Sequence, residues 1–162
     1  MKISFIIPCL NGAKIIENSV KLLTKKLRKI NIKQYELILI DDGSKDETSK
    51  IVKKIKNKNI KLIINKINLG KSSSLIRGIK KSKYKNIIIW DCDLPYFECI
   101  EKVIYNLKTN HLVYINRRSK KSRLKKKNMN FYQKCRYYIG SIVCSVLDIL
   151  LLDKDTGDTQ AG

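Results

Sequence analysis

Short apolar runs rich in isoleucine and valine alternate with longer segments of helical period along most of this chain. The apolar runs predict strands at residues 3–8, 35–40, 60–65, 87–90 and 112–116. The segments between them predict helices at residues 13–29, 46–56, 72–81 and 97–107. This alternation is typical of an α/β fold, in which helices cover both faces of an open, mostly parallel sheet.

The first two predicted helices each carry aliphatic residues on one face, which is expected to pack against the sheet. These residues are Ile16, Val20, Leu23 and Leu27 in the first helix, and Ile51, Val52 and Ile55 in the second. The unusual polar motifs all follow predicted strands. They are therefore expected at the carboxyl ends of the strands, where open α/β sheets bind ligands.

The composition predicts one globular domain at 1–162, because 162 residues with 43% hydrophobic residues suffice for a hydrophobic core. The formal net charge of +21 would attract nucleic acid, anionic lipid or phosphorylated small molecules, and the charge alone does not choose among them. A general bias toward lysine, isoleucine and asparagine is an alternative explanation of the charge. Since no zinc-finger, RNP or helix-turn-helix signature is present, nucleic acid is not expected as a partner.

The cysteines, at positions 9, 92, 99, 135 and 144, match neither a zinc site nor a disulfide framework, because no CxxC pair is present. They fit a reduced cytosolic compartment. The longest apolar stretch, at 139–152, is interrupted by Asp148. It is shorter than the roughly 20 residues that span a bilayer, although such a stretch could lie on a membrane surface.

The motif IDDGSKDET at 40–48 follows the second predicted strand. Gly43 permits a tight turn, and Ser44 or Asp46 is expected to cap the next helix by accepting hydrogen bonds from its free backbone N–H groups. Capping does not explain Asp41 and Asp42. One of these carboxylates is well placed to accept hydrogen bonds from a nucleotide base or ribose.

The motif NLGKSSSLIRGI at 68–79 places Gly70 and Lys71 in the turn before a helix. Free backbone N–H groups and the helix dipole favour an anion at such a position. The spacing is not that of a Walker A loop, which disfavours a P-loop kinase or ATPase. Lys71 and Arg77 either line a diphosphate site or are simply exposed on the surface.

The motif DCDLP at 91–95 places Asp91 and Asp93 at the end of a core strand, where a turn can bring both carboxylates toward one hard cation. Mg²⁺ typically binds one or two protein carboxylates and completes its shell with phosphate oxygens and water. The motif therefore predicts a metal ion shared with a phosphorylated substrate. In the alternative interpretation, one carboxylate caps the helix near Phe97 and the other is solvated.

Segments along essentially the whole chain resemble, in order and spacing, the family 2 glycosyltransferases with the GT-A fold. These segments are SFIIPCLNG, YELILIDDGSKDET, NLGKSSSLIRGI, IIIWDCDLPYF, LVYINRR and DTQAG. Within the family, the last segment is similar to the corresponding part of polyprenyl-phosphate glycosyltransferases, including dolichyl-phosphate mannose and glucose synthases. The resemblance implies a Rossmann-like GT-A domain at 1–162.

The resemblance also implies a metal-dependent, inverting transfer of a sugar from a UDP- or GDP-sugar to polyprenyl phosphate, with Asp91 and Asp93 holding Mg²⁺ or Mn²⁺ against the diphosphate. The implied nucleotide-sugar contacts are Pro8, Asn11, Asp41, Asp42, Gly70, Lys71 and Asp91. The implied catalytic residues are Asp93, Arg118 and Asp158. The implied acceptor-phosphate contacts are Arg118, Arg136 and Gln160.

This sequence departs from the family pattern at particular positions. Gly12 stands where the family usually has an acidic residue after the asparagine, which puts a nucleotide contact or local bracing there in doubt. Pro95 replaces a frequent glutamine, so a third metal ligand is not expected. The family normally continues beyond the position of Gly162, and the domain is therefore expected to be incomplete at its C-terminus.

The basic run RRSKKSRLKKK at 117–127 precedes a segment rich in aromatic and aliphatic residues. Together they predict a protein peripheral on the cytoplasmic face of an anionic membrane, where a polyprenyl acceptor would lie. Two other functions stay open. One is transfer to a glycan or glycolipid hydroxyl in cell-surface polysaccharide synthesis, and the other is non-catalytic binding of a nucleotide sugar or an anionic surface.

Overall fold

The structure of the protein is a computed structural model that describes residues 1–113 and 115. Met1–Lys108 form one compact unit, and Thr109–Gly162 form a second. The first unit is described in full, whereas residues 114 and 116–162 lie outside the described residues. The single domain expected at 1–162 stays a prediction.

Strands and helices alternate through the first unit. In chain order they are β1 (Lys2–Cys9), α1 (Ile16–Lys29), β2 (Gln34–Asp41), α2 (Thr48–Lys54), β3 (Ile60–Ile64), α3 (Lys71–Lys80), β4 (Asn86–Ile89) and α4 (Ile100–Asn106). A short 3₁₀ turn at Phe97–Cys99 leads into α4. Each predicted strand and helix up to residue 107 is confirmed, with its ends moved by a few residues. Of the strand predicted at 112–116, residues 112, 113 and 115 are described, and these are not in a strand.

The four described strands form one parallel sheet in the order β3-β2-β1-β4. The chain moves one way along the sheet from β1 to β3 and then crosses back to β4 on the other side of β1. Because parallel crossovers are right-handed, α1 and α2 cover one face and α3 covers the other. This arrangement confirms the predicted α/β class.

Isoleucine and leucine fill both faces of the two central strands. Ile6, Ile38, Ile40 and Ile63 form a buried cluster, against which Leu75 of α3 packs. Alternation along the strands sends the intervening buried residues, such as Phe5 and Leu37, to the opposite face. Helix α3 lies so close to the sheet that a Cβ atom on Gly78 would come within 2.6 Å of Ile6 Cγ2.

The predicted inward face of α1 is confirmed, since Ile16, Val20, Leu23 and Leu27 are all buried. The inward face of α2 is confirmed in part: Val52 is buried, while Ile51 and Ile55 are half-buried. Helix α2 is short and contacts β3, which lies at one edge of the sheet formed by the described strands. The sequence period indicates which residues face inward, but it does not indicate how well they are covered.

Candidate functional site

The loops that follow the four strands lie together at the carboxyl edge of the sheet. The direction of the chain along the sheet reverses between β1 and β4, and open α/β sheets bind ligands in the crevice at such a switch point. The loops at this edge span residues 10–15, 42–47, 65–70 and 90–96. The polar motifs predicted from the sequence occupy these loops.

Hydrogen bonds connect the loop after β1 to the loop after β2. Asn11 N donates to Ser44 Oγ at 2.8 Å, and Lys45 N donates to Asn11 Oδ1 at 3.0 Å. Gly12 N donates to Thr48 Oγ1 at 2.9 Å, which anchors the next residue of the same loop. Asn11, which has a φ of 53°, is thereby fixed at the surface beside Pro8 and Cys9.

Of the two residues expected to accept hydrogen bonds from the start of α2, Asp46 does so and Ser44 does not. Ser44 Oγ accepts its hydrogen bond from Asn11 and does not cap α2, whereas Asp46 Oδ1 accepts one from Thr48 N, the first residue of α2, at 3.0 Å. Asp46 Oδ2 also accepts a hydrogen bond from Ala13 N at 3.0 Å. Hydrogen bonds from the Thr48 hydroxyl and from these backbone groups lower the pKa of Asp46.

Asp41 and Asp42 leave the end of β2 as predicted, but both are buried, with 3% and 4% of their surface exposed. Asp41 Oδ1 accepts a hydrogen bond from Ser44 N at 2.9 Å. Asp42 Oδ1 accepts two, from Asn65 Nδ2 at 2.7 Å and from Leu69 N at 3.0 Å. Burial acts to raise the pKa of Asp42, but these hydrogen bonds outweigh it and lower the pKa.

Asn65, which follows β3, connects Asp42 to helix α3. Its Nδ2 also donates to Ser74 Oγ at 2.9 Å, and its Oδ1 accepts a hydrogen bond from Arg77 Nη1. Asn65 and Ser74 are almost completely buried. We refer to Asp42, Asn65, Ser74 and Arg77 as the polar brace. Arg77, for which the sequence leaves open a diphosphate site or simple surface exposure, is exposed and lies in this brace.

Sequence analysis did not single out Asn65, although one signal was present. Asn65 follows the apolar run of the third strand, at the same end of its strand as Asp41 and Asp42 on β2. A polar residue at that position faces the ligand edge or the neighbouring loops. The contact of Asn65 with Ser74 and Arg77 depends on the packing of α3 and is not visible in the sequence pattern.

Gly70 and Lys71 form the start of α3, as predicted. Gly70 has a φ of 83°, a conformation that favours glycine, and the space beside its Cα is open. Lys71 Nζ forms an ion pair with Asp91 Oδ1 at 2.9 Å. The structure thus brings together two motifs that are separated in the sequence, the turn before α3 and the DCDLP segment.

The DCDLP segment is held mainly by its ends. Trp90 Nε1 donates to the carbonyl oxygen of Pro95 at 2.9 Å, and Leu94 N donates to the carbonyl oxygen of Asp91 at 3.0 Å. Asp93 is exposed, and within the part of the chain that the structure describes its carboxylate has no hydrogen-bond or ion-pair partner. The alternative in which one of these carboxylates caps the following helix is not observed, since neither the 3₁₀ turn nor α4 has a side-chain cap.

The donor atoms in this segment suit a hard divalent cation. Two carboxylates at positions 91 and 93 supply oxygen ligands, and Mg²⁺ needs only one or two of these when a diphosphate supplies others. Among residues 1–113 and 115, no group of three or more His, Cys, Asp or Glu side chains surrounds a metal position. The residues therefore fit a cation shared with a ligand rather than one held by protein alone.

The thiols of Cys9 and Cys92 lie together beside this segment, a contact that sequence analysis missed. The hydrogen bond between them and then burial raise the pKa of Cys9, while the same hydrogen bond lowers the pKa of Cys92. The signal for this contact is the strand register, because the pairing of Ile6 with Ile89, extended past the end of β4, leads position 92 toward position 9.

The remaining predicted site residues are Arg118, Arg136, Asp158 and Gln160, and these lie outside the described residues. The basic run at 117–127 also lies outside them. Within the described part of the chain, no helix is long and apolar enough to span a membrane.

The sequence comparisons agree on one family for this chain. The model for glycosyl transferase family 2 matches residues 4–145. Dolichyl-phosphate beta-glucosyltransferase of Dictyostelium discoideum is 33% identical over 122 residues, covering 68% of this chain and 37% of that protein. Dolichol-phosphate mannosyltransferase of Pyrococcus furiosus is 32% identical over 136 residues, covering 83% of this chain and 38% of that protein. Poly-beta-1,6-N-acetyl-D-glucosamine synthase of Staphylococcus epidermidis is 29% identical over 92 residues, covering 56% of this chain and 21% of that protein.

Comparison with solved structures confirms the GT-A fold. The structure of S. aureus TarS 1–349 in complex with UDP-GlcNAc matches with a TM-score of 0.56 and 27% identity, covering 68% of this chain and 32% of that chain. The chain spans between 21% and 38% of the length of the curated relatives named above.

Proposed function

Because this chain belongs to glycosyl transferase family 2, we propose that it binds a nucleotide sugar at the carboxyl edge of the sheet and transfers the sugar to a polyprenyl phosphate. The observation that carries the proposal is the meeting of the start of α3 with the DCDLP segment, through Lys71 and Asp91 at 2.9 Å. This contact places the ammonium of Lys71 beside one of the two carboxylates of the segment, and a metal-bound diphosphate would use both kinds of group.

The nucleoside part of the donor is proposed to contact the loops after β1 and β2. Asp41 or Asp42 supplies an acceptor oxygen for the base or ribose, and Pro8 and Asn11 form the neighbouring wall. The hydrogen bonds that hold Asn11 and Asp42 fix these groups before the ligand arrives, which reduces the entropy lost on binding.

The diphosphate is proposed to lie between Gly70, Lys71 and the two carboxylates of the DCDLP segment. Gly70 leaves room for close approach to the backbone, and Lys71 would turn from Asp91 toward a phosphate oxygen. Asp91 and Asp93 would hold Mg²⁺ or Mn²⁺. A bound divalent cation neutralises the charge that develops on the departing nucleoside diphosphate.

The acceptor is proposed to be polyprenyl phosphate, as the names of two relatives suggest. A phosphate monoester is already anionic at neutral pH, so its oxygen needs less general-base assistance than a hydroxyl. That oxygen would bond to the anomeric carbon from the face opposite the leaving diphosphate, with inversion. Arg118, Arg136 and Gln160 are proposed to bind the acceptor phosphate, with Asp158 near the sugar. The basic run at 117–127 is proposed to face an anionic membrane surface.

A second candidate is transfer to a sugar hydroxyl of a glycan. It is favoured by the similarity to poly-beta-1,6-N-acetyl-D-glucosamine synthase and to TarS with bound UDP-GlcNAc. The two candidates share the donor site but differ in the acceptor. Product analysis with radiolabelled donor, offering undecaprenyl phosphate and a β-1,6-linked glucosamine oligomer in separate reactions, distinguishes them.

Calorimetric titration of the 162-residue chain with UDP-glucose, UDP-GlcNAc and GDP-mannose, each in Mn²⁺ and in EDTA, tests the donor site. We expect one donor to bind in Mn²⁺ and to lose at least about tenfold in affinity in EDTA. Asp93→Asn should cause a similar loss in Mn²⁺. Glu98→Gln, which alters another exposed carboxylate nearby, is the matched control and should bind as the wild type does.

Equal affinities in Mn²⁺ and EDTA would contradict the metal role of the DCDLP segment. Donor binding without product from either acceptor would favour the third function considered from the sequence, a non-catalytic nucleotide-sugar binding protein. Failure of all three donors to bind would contradict the proposed donor site.

A further inference from the structure

Cys9 is the last residue of β1, and Cys92 lies three residues beyond the end of β4, in the loop at residues 90–96. Strands β1 and β4 pair in parallel with Ile6 opposite Ile89, and Trp90 N donates to the Ile6 carbonyl oxygen at 3.1 Å, which continues the pairing beyond β4. Adjacent strands lie about 4.8 Å apart. A disulfide needs a Cα separation of roughly 4.4 to 6.8 Å, so chain segments that leave two paired strands at this spacing can be bridged.

Gly12 provides the space in which the two sulfur atoms meet. A Cβ atom on Gly12 would lie 2.1 Å from Cys9 Sγ and 3.7 Å from Cys92 Sγ, so both thiols approach the Cα of the same glycine. Both are free thiols in this structure. The departure from the family pattern at position 12 therefore has a local consequence, because a side chain there would displace Cys9.

The two thiols differ in their access to solvent. Cys9 is buried, with 5% of its surface exposed, whereas Cys92 is half-buried at the carboxyl edge. An oxidant dissolved in water would therefore react first with Cys92. The neighbouring Cys9 is placed to resolve the product.

We propose that Cys9 and Cys92 are a redox modification site, which a peroxide converts to a disulfide beside the DCDLP segment. The thiolate of Cys92 attacks one oxygen of hydrogen peroxide, forming a sulfenic acid and releasing water after proton transfer. The sulfur of Cys9 then attacks the sulfenic sulfur, forming the S–S bond and releasing a second water. Two thiols are oxidised, and one peroxide is reduced to two waters.

The disulfide would change the donor site, and this consequence rests on the function proposed above. Cys92 lies between Asp91 and Asp93, so a bond to β1 would hold the middle of the segment against the sheet. The two carboxylates could then no longer adjust around a shared cation. We expect the oxidised protein to bind the donor and Mn²⁺ at least about tenfold more weakly than the reduced protein.

The test treats the reduced chain with hydrogen peroxide and maps its peptides without reducing agent. Trypsin leaves Cys92 and Cys99 in one peptide, residues 86–102. The experiment therefore uses the variant Cys99→Ser. In this variant, a disulfide to that peptide must involve Cys92. We expect a link between that peptide and the Cys9 peptide, reversed by dithiothreitol. Adding Cys92→Ser should abolish the link. Linkage of Cys9 or Cys92 mainly to another cysteine, or no linkage at all, would overturn the proposal.

Donor titration before and after peroxide separates this inference from the proposed function. A loss of affinity in Cys99→Ser that dithiothreitol reverses, and that Cys9→Ser or Cys92→Ser prevents, supports the full inference. A formed disulfide with unchanged affinity overturns the effect on the donor site. If the reduced protein binds no donor, the proposed function fails, and the peptide map alone still decides whether the modification site exists.

Discussion

The carboxylates after β2 and those after β4 lie at the same edge of one sheet, yet their surroundings differ. Asp42 is buried and accepts hydrogen bonds from Asn65 and Leu69, within the polar brace that reaches α3. Asp93 is exposed, and no partner holds it within the described residues. One side of the edge is therefore fixed by hydrogen bonds within the protein, whereas the other presents an exposed carboxylate to a ligand.

Among the substitutions that test this difference, replacement of Asn65 should change the free energy of unfolding most. Asn65→Ala removes a hydrogen-bond donor from buried Asp42 and leaves Arg77 with only the carbonyl oxygen of Ile64 as an acceptor among the described residues, so the free energy of unfolding should fall by roughly 3 kcal/mol. Urea denaturation measures the change. Asn18→Ala, at an exposed position of α1, is the control and should shift stability by less than about 0.5 kcal/mol. Equal effects of the two changes would show that the brace does not stabilise the fold.

The pH dependence of stability tests the charge of Asp42. Its pKa is lowered by folding, so its contribution is present above the unfolded-state pKa of about 3.9 and is lost as pH falls through the folded-state value. The stability difference between the wild type and Asp42→Asn should therefore be constant from neutral pH to about pH 5 and shrink below about pH 4. A difference that grows on acidification would contradict this sign.

Lys71 connects the two sides of the edge. Its replacement should weaken donor binding and leave the stability of the fold nearly unchanged. Lys71→Met breaks a half-exposed ion pair, so the free energy of unfolding should change by less than about 1 kcal/mol. Donor affinity, measured by calorimetry, should fall about tenfold, equivalent to about 1.4 kcal/mol. Lys66→Met, at an exposed position in the loop before α3, is the matched control and should leave affinity unchanged.

The smallest effect on stability is expected from Asp93→Asn. Asp42→Asn is the same chemical change at the buried position and should destabilise the protein. At Asp93 the change should alter the free energy of unfolding by less than about 0.5 kcal/mol, because no described group holds that carboxylate. Thermal and urea unfolding of both variants provide the comparison. A loss at Asp93 as large as that at Asp42 would remove the distinction between the two sides.

The strands, the helices and the edge that carries the polar motifs could be predicted from the sequence, because apolar period and turn residues are local signals. The partners of Ser44 and Asn65 could not. Ser44 or Asp46 is expected from the sequence to cap α2; Asp46 contacts the first residue of α2, whereas Ser44 contacts Asn11, which is distant in sequence. The contact of Cys9 with Cys92 likewise needs the order of strands in the sheet, which the strand pattern alone does not give.

The position of a carboxylate in the sequence also does not show whether other groups of the protein hold it by hydrogen bonds. Asp41, Asp42, Asp91 and Asp93 all follow buried strands and look equivalent in the sequence. Their difference arises from the number of neighbouring strands and loops. Strand β2 lies between β1 and β3, whereas β4 lies at one edge of the described sheet.

The strand order also has a consequence for how the protein folds. The pairing of β1 with β2 closes a short loop of chain, from Lys2 to Gln34, but the pairing of β1 with β4 brings Ile3 to Asn86. Longer loops cost more entropy to close, and distant contacts form more slowly. We therefore expect β1, β2 and β3 to assemble before β4 joins them, so that the carboxylates of the DCDLP segment reach the edge of the sheet in the final step.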